Sequence, residues 1–480
     1  MRHLFIIALT TLCGGSLGFA QRLMPSSRPP NIIVFVADDA GWSESGAYGN
    51  EAITTPRIDQ LAASGLRVAH AFLTTPQCSP SRISMLSGRY PHATGAEDLH
   101  MPLPSEVPLL PQLLQRIGYF TGHMQKTHYG PRGDEQFQWY NRETASAFPT
   151  FLNAVEGRPF FLWVGFNDPH RPYARKPSGP EHDPSAVRVP PYLADTPETR
   201  GDLADYYDEI ARMDHNIGLM LDELDRRKLR ENTLVLYLSD NGPPFPREKG
   251  TLYDGGIRTP LIISLPGVIP AGSAYARGLV SLIDLAPTLL EFAGSSAPSG
   301  MQGRSIRNLL LAPADQPGRE HVFSERNWHN TDEHMRSVRT RRFKLIRTDA
   351  NFSLPMGVAA DIGAGPAFLS LRALAVKGEL GPSQRQIFVA PRPRIELYDV
   401  QTDPWELTNL ADKPEYAAET RRLAALLQQW MDETGDFPAW VRTRPDDTDR
   451  VTGVKFTTRY PPMLNAEVPP SSADSTGVEP

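Results

Sequence analysis

The sequence predicts an α/β fold: a large, mostly parallel sheet sandwiched by helices, with a smaller C-terminal antiparallel sheet plus helix. Three apolar runs carry that prediction, residues 31–37 (NIIVFVA), 160–166 (FFLWVGF) and 233–238 (TLVLYL). Unbroken and rich in β-branched and aromatic side chains, they read as strands covered on both faces. Segments of helical spacing alternate with them, which calls for parallel strands joined by crossover helices. Each run also ends in a polar turn: Asp38-Asp39, Asp168-Pro169-His170 and Ser239-Asp240-Asn241-Gly242. Ligands of open α/β sheets bind beyond the carboxyl ends of the strands, so the three turns are expected on one rim, as one site.

Taken in order, residues 1–20 read as a secretory signal. Arg2 and His3 precede an apolar core over 4–12, and Gly18-Phe19-Ala20 gives a small-x-small cleavage site. A lipoprotein reading at Cys13 is disfavoured by Leu12, where a small residue is expected. No other apolar run is long enough to span a bilayer, so an exported protein with no transmembrane anchor is expected. Thr55-Pro56 opens a helix that stops at Gly65. In Cys78-Ser79-Pro80-Ser81-Arg82, Ser79 is the expected N-cap and Pro80 the first helical residue, with Gly88 as the stop. Cys78 then lies just before a helix N-terminus, where free N–H groups favour an anion.

Residues 109–117 form a further predicted helix, and 171–199, rich in proline, a long loop. From Leu203 onward Tyr207, Ile210, Ile217, Leu221 and Leu224 share one helical face, and Asp214 on that stripe reads as a structural polar contact. Residues 261–265 and 279–290 continue the alternation. Beyond about residue 313, polar alternation over 335–347 and 395–400 suits a small antiparallel sheet, and 417–434 is an amphipathic helix. The expected division is a catalytic domain over 31–313, an α+β unit over 314–445 and a Pro- and Ser-rich tail over 446–480.

A chain of 480 residues, 40% apolar and 22% charged, is an ordinary globular protein with room for two domains. A net charge of −6 gives no polybasic signature, which argues against a nucleic-acid partner. There are two cysteines, and Cys13 falls in the signal segment, so the mature chain has one thiol. An exported protein with a lone cysteine needs a reason other than a disulfide for keeping it.

Oxygen donors from Asp38, Asp39, Asp240 and Asn241 suit a hard cation, Ca²⁺ or Mg²⁺, rather than zinc. Each Asp alone reads as a turn residue; an Asp-Asp pair and an Asp-Asn pair after two buried strands read together as a metal site. Arg82, Lys126, His128 and Lys249 add cationic groups, although either lysine alone would pass for a solvated one. A metal and several cations around one nucleophile make a receptor for a tetrahedral oxyanion.

The ordered motifs resemble the formylglycine-dependent sulfatases. The signature is Cys78-Ser79-Pro80-Ser81-Arg82 with Ser87-Gly88-Arg89, preceded by Ala37-Asp38-Asp39. It is followed by Gln125-Lys126-Thr127-His128-Tyr129-Gly130, Asp168-Pro169-His170, Ser239-Asp240-Asn241-Gly242, and Lys249-Gly250 with the run 254–260. Glu396-Leu397-Tyr398-Asp399 and Asp403-Pro404 resemble the family's closing segment, so the likeness covers about residues 31–436. Within the family the sequence is most similar to the sulfamidases, or heparan N-sulfatases. Glu44-Ser45-Gly46-Ala47-Tyr48, Leu99-His100, Asp168-Pro169-His170-Arg171, Pro243-Pro244-Phe245-Pro246 and Met335-Arg336-Ser337-Val338-Arg339 carry that likeness. Two departures are Lys249, where sulfamidases tend to carry arginine, and the loop 95–98.

The resemblance implies an alkaline phosphatase-like fold and a hydrolase of sulfated sugars. It implies that Cys78 is oxidised to formylglycine by a formylglycine-generating enzyme or its equivalent. Ca²⁺ (or Mg²⁺) is then held by Asp38, Asp39, Asp240, Asn241 and the modified Cys78. Arg82 orients the formylglycine hydrate, Lys126 and Lys249 bind sulfate, His128 assists collapse of the diol, and His170 protonates the departing group. Candidate sugar contacts are Glu97, Asp98 and His100 in one loop, Trp328, His329 and His334 in another, and Asp168. The expected substrate is N-sulfoglucosamine from heparan-type chains, in the bacterial periplasm or medium, or in a lysosome if the source is eukaryotic. Three alternatives stay open on the residues alone: an O-sulfatase, a phosphate or phosphonate monoester hydrolase, and, with Cys78 unmodified, a non-catalytic binder of sulfated glycans.

Overall fold

A computed structural model describes residues 28–174, 178–329 and 331–436. The predicted signal segment, 1–20, and the predicted tail, 446–480, lie outside the described residues. Among these the principal sheet has eight strands: β1 (Asn31–Ala37), β2 (Leu66–Val68), β3 (Phe120–Gln125), β4 (Trp139–Asn141), β5 (Phe160–Gly165), β6 (Thr233–Ser239), β7 (Leu261–Ser264) and β8 (Ser273–Tyr275). Their spatial order is β8-β2-β7-β6-β1-β5-β3-β4. The three apolar runs are thus neighbours, with β1 between β5 and β6 and parallel to both.

Strand β1 is buried at every position. Ile32, Val34 and Val36 enter the core on one face, Ile33, Phe35 and Ala37 the core on the other. Helices on both faces remove any polar side, which is why the run is unbroken rather than alternating. One strand departs from the parallel expectation: β7 pairs antiparallel with both β6 and β2. Between β6 and β7 residues 240–260 form one short helical turn, Asp254–Ile257, and no crossover helix. A full crossover helix is needed to return a strand parallel, so the direct return runs the other way.

Helix α1 (Pro56–Ala63) starts with proline at its first position, and the Arg57 and Ile58 amides donate to the Asp214 carboxylate at 3.1 and 2.7 Å. Asp214 is therefore the polar contact expected of it, a cap supplied from another helix. Helix α2 (Cys78–Ser87) differs from expectation at its start. Gln77, extended at φ −140° and ψ 133°, precedes it, so Cys78 is its first residue and Pro80 its third. The Ser79 hydroxyl is not free to cap, because it accepts the His100 amide at 2.8 Å. Gly88, at φ 66°, ends the helix as predicted. Helix α3 (Pro197–Arg226) is capped by Thr196, whose hydroxyl accepts the Thr199 amide.

A second, antiparallel sheet follows in the order β9 (His321–His329), β10 (Thr331–Thr340), β11 (Phe343–Thr348) and β12 (Ile395–Asp399). Between β11 and β12 the chain makes an excursion carrying α4 (Ala360–Gly363) and α5 (Pro366–Lys377). Ala367 and Leu371 of α5 join the same core as Tyr206 and Ile210 of α3, which ties the excursion to the principal domain. Helix α6 (Ala417–Thr434) covers the small sheet with Leu423, Leu427, Trp430 and Met431. Strand β9 has no sequence signature: Ser324, Glu325, Arg326 and Asn327 are all buried, so neither face reads as apolar. No described helix is long and apolar enough to cross a membrane.

Candidate active site

The carboxyl ends of β1 and β6 lie side by side, with Ala37 opposite Ser239, and bring Asp38 and Asp39 against Asp240 and Asn241. All four are fully buried. Asp39 has φ 75°, a left-handed conformation uncommon for a side chain with a Cβ and typical of positions where function fixes the backbone. The start of α2 comes up beneath them and sets the Cys78 thiol 3.8 Å from Asp38 Oδ1. Donor atoms of Asp38, Asp39 and Cys78 lie within 4.8 Å of one another.

These residues fit a hard divalent cation. Asn241 Nδ2 donates to Asp39 Oδ1 at 2.6 Å and to the Gly242 carbonyl at 2.9 Å, which fixes the orientation of the amide. Its Oδ1 is buried and accepts no hydrogen bond. A buried acceptor left over beside three carboxylates is the further oxygen donor that a hard cation would require.

Three permanent cations interlock with the acids. Arg82 Nε donates to Asp240 Oδ2 at 2.7 Å, and its Nη1 to the Lys126 carbonyl at 3.1 Å. A Cβ on Gly165, which ends β5, would lie 2.5 Å from Arg82 Nη1, so only glycine lets that guanidinium pass. Lys126 Nζ donates to Asp38 Oδ2, and Lys249 Nζ donates to Asp39 Oδ2 at 2.7 Å. Burial opposes ionisation of Asp38, but Lys126, His170, Arg82 and Lys249 outweigh it and hold the carboxyl well below its usual range. Asp240, equally buried and beside the charged Asp38, is pushed up to about 6 despite Arg82. A bound cation would return it to the ionised state. Both lysines are held above their ordinary value: burial opposes this, but Asp38 beside Lys126 and Asp39 beside Lys249 prevail. Burial also pushes the Cys78 thiol far up.

The cluster floors a two-lobed cleft. The lobe containing Cys78 has a volume of about 830 Å³ and also presents Lys126, Lys249, His170, His329 and Asp361. A second lobe of about 570 Å³ adjoins it across His100, Lys126, His128 and His170, and reaches Tyr140 and Arg142. His170 Nδ1 donates to the Arg171 carbonyl, which turns Nε2 into the cleft, 3.9 Å from Asp39 Oδ2 and 3.7 Å from Asp361 Oδ2. The rings of His100 and His128 stand 4.7 Å apart between the lobes. His329 is held down at about 3 by burial and by Lys249 and Arg326, so it meets the cleft as a neutral imidazole.

Five of the expected sugar contacts are elsewhere. Asp168 forms a two-point ion pair with Arg212, at 3.0 and 2.5 Å, and does not line the cleft. Glu97 and Asp98 are fully buried behind it; Asp98 Oδ1 accepts the Trp328 amide at 3.0 Å. Trp328 likewise serves through its backbone, its carbonyl accepting from Gln77 Nε2 at 2.6 Å and from the Leu99 amide at 3.1 Å. The Asp98 and Trp328 contacts tie loop 95–100 to β9. His334 is also buried away from the cleft, its Nδ1 3.3 Å from Asp349 Oδ2. His100 and His329 do line it. The sequence reading missed Asp361, which sits in Ala359-Ala360-Asp361-Ile362-Gly363, a stretch with no strand end, no motif and no turn signature.

An α/β sheet whose strand ends gather an acidic cation site, one buried cysteine and several cations defines a hydrolase of tetrahedral oxyanion esters. The chain belongs to the sulfatase family: the model described as Sulfatase matches residues 30–295. A second model, for the C-terminal part of N-sulphoglucosamine sulphohydrolase, matches residues 247–353. The N-sulphoglucosamine sulphohydrolase of Homo sapiens is 35% identical over 465 residues, covering 86% of this chain and 92% of the human protein. An ulvan-active sulfatase of Formosa agariphila is 29% identical, covering 85% of this chain and 75% of its own length. Among solved structures, a protein in complex with its substrate D-glucosamine-2-N,6-O-disulfate superposes with a TM-score of 0.66 at 20% identity, over 86% of this chain and all of that one. That last likeness establishes a shared fold. The protein is a hydrolase of sulfuric esters or sulfamates on sulfated sugars.

Proposed function

We propose that the protein is an exported sulfamidase that removes the N-sulfate of glucosamine from the ends of short heparan-type saccharides. The observation that carries this reading is the position of Cys78. It opens α2 at the floor of the cleft, with the acidic cluster on one side and two lysines on the other. The likeness to the human N-sulphoglucosamine sulphohydrolase across nearly its whole length supports the choice of substrate.

The roles follow from what each group touches. A nucleophilic cysteine needs a depressed pKa, and burial moves Cys78 the opposite way. Oxidised to formylglycine by a maturation enzyme, residue 78 supplies as its hydrate the hydroxyl nucleophile that the thiol does not. Asp38, Asp39, Asp240, Asn241 and residue 78 would hold Ca²⁺, which would supply Lewis-acid polarisation of the sulfate. Lys126 and Lys249, pinned by Asp38 and Asp39, present their ammonium groups to sulfate. Arg82, fully buried, holds Asp240 and orients residue 78. His128 stands at the junction of the lobes to take the proton when the diol collapses. His170, with Nδ1 tied to a carbonyl, offers Nε2 to protonate the departing nitrogen.

Charge balance favours sulfate over phosphate. Asp38, Asp39, Asp240 and Asp361 exceed Arg82, Lys126 and Lys249 by one negative charge. A divalent cation turns that into one positive charge, which a monoanionic sulfate neutralises and a dianionic phosphate overshoots. Mass spectrometry of the Cys78 peptide, from protein made in its own host, tests the nucleophile: an aldehyde is expected, and an intact thiol removes the mechanism. Sulfate release from N-sulfoglucosamine, compared with release from 6-O-sulfated glucosamine, tests the substrate.

A further inference from the structure

We infer that Asp361 selects the amine leaving group, accepting a hydrogen bond from the sulfamate N–H and thereby distinguishing N-sulfate from O-sulfate. This rests on the sulfamidase reading and deepens it. Asp361 belongs to α4, in the excursion between β11 and β12, and so reaches the cleft from outside the strand ends that carry the rest of the site. Its Oδ2 accepts from Lys249 Nζ at 2.9 Å and lies 3.7 Å from His170 Nε2. It therefore stands where a lysine assigned to sulfate meets the histidine assigned to the leaving group. That is the position of the bond to be broken.

Its other oxygen, Oδ1, has no hydrogen-bond partner among the described residues. The remaining carboxylates that line the Cys78 lobe are differently placed. Asp202 is taken by a two-point pair with Arg171 and by the Ala367 amide, and Asp205 lies a further turn along α3. The same Arg171–Asp202–Ala367 joint anchors the start of α5, three residues beyond the end of α4, and so fixes the chain close to Asp361.

The discrimination follows from donors and acceptors. A sulfamate bridges sulfur and sugar through N–H, a donor, and its product is an amine that is cationic at neutral pH. A sulfate ester bridges through an oxygen, which offers lone pairs. A fixed carboxylate beside the bridging atom accepts from the first and repels the second. Sites built around a substrate N–H reject the analogue that lacks it much more strongly than apolar pockets reject a missing methylene.

The test is the Asp361→Asn variant of the full, metal-loaded and formylglycine-containing enzyme, with kcat/KM measured on N-sulfoglucosamine and on 4-nitrophenyl sulfate. Asn keeps the shape, and an effect on Lys249 or on folding touches both substrates, so the readout is the ratio of the two constants. The ratio is expected to fall by about tenfold to a hundredfold, the worth of a hydrogen bond to a charged group. Inhibition by free glucosamine, measured against glucose, is expected to weaken in the variant. An unchanged or increased ratio, with inhibition by glucosamine intact, overturns the inference and leaves the sulfamidase reading standing. A wild-type enzyme that turns over 4-nitrophenyl sulfate and leaves N-sulfoglucosamine untouched removes both.

Discussion

The two sides of the cleft are built on different principles. The floor is made at the ends of β1 and β6 and the start of α2, where the acids are buried and each is bonded to a cation or an amide: Asp38 to Lys126, Asp39 to Lys249 and Asn241, Asp240 to Arg82. The far wall comes from β9 and from the excursion carrying α4, where Asp361 and His329 stand on irregular or polar stretches. Regular, doubly covered strands give the precision that bond-breaking needs, and irregular backbone gives the freedom to vary what is recognised. On the proposed reading, chemistry sits on the floor and selectivity on the far wall.

Three experiments would break or sharpen that contrast on the floor. The largest effect is expected for Cys78→Ala, which removes the nucleophile. Sulfate release should fall by about ten thousandfold or more, with the variant still folded and unfolding in one cooperative transition. Next comes the cation. Dialysis against a chelator should abolish activity and lower stability by about 3 kcal/mol relative to enzyme at a hundred times the dissociation constant, and added Ca²⁺ should restore both. Asn241→Ala should raise the Ca²⁺ concentration required; an unaltered requirement would show that its orphaned oxygen is not a ligand.

A third effect belongs to the joint between the two sheets. His92 is buried against Glu325 of β9. Burial opposes protonation of His92, but the Glu325 charge overcomes it and raises the histidine above its ordinary value. A histidine whose folded pKa exceeds its unfolded one adds stability that is complete below about pH 6.5 and is lost as pH rises through the folded value. His92→Gln should therefore cost about 3 kcal/mol in mildly acidic buffer, with the gap to wild type narrowing toward alkaline pH. A gap that widened with pH would mean that the pair is not ionic.

Much of the floor was legible in the sequence, and little of the wall. The runs 31–37, 160–166 and 233–238 fell on β1, β5 and β6 within a residue, because a strand covered on both faces has no other way to be written. Helix α6 matched its predicted bounds for the same reason in another period. Strand β9 was illegible because its buried Glu325, Arg326 and Asn327 break any apolar pattern, and the partner that answers Glu325 is His92, far away in the chain. The helix at Cys78 was placed two residues late, because Ser79 looks like a cap until His100 is known to hold it. Asp361 acquires meaning only through Lys249 and His170, over a hundred residues distant. Asp168 erred in the opposite sense: its motif suggested a site residue, and its carboxylate proved to be half of an ion pair with Arg212. Asp168→Asn should leave KM within about twofold and cost about 1 kcal/mol of stability, as a partly exposed pair does.

The smallest expected effect separates scaffold from site most cleanly. Asp214 lies on α3 and accepts the first amides of α1, so its carboxylate does for that helix what a local cap residue would. Loss of a cap costs about 1 kcal/mol, and the acceptor here is buried, so water cannot take its place. Asp214→Ala should therefore lower the unfolding free energy by that order, with kcat/KM on N-sulfoglucosamine unchanged. The contrast with Asp240 is instructive, since both are fully buried aspartates on regular elements. One has its charge answered by backbone amides at a helix start, the other by Arg82 and, on the proposed reading, a cation. A drop in turnover for Asp214→Ala as large as its drop in stability would mean that α1 transmits strain to the strand ends, and the division between scaffold and floor would then have to be redrawn.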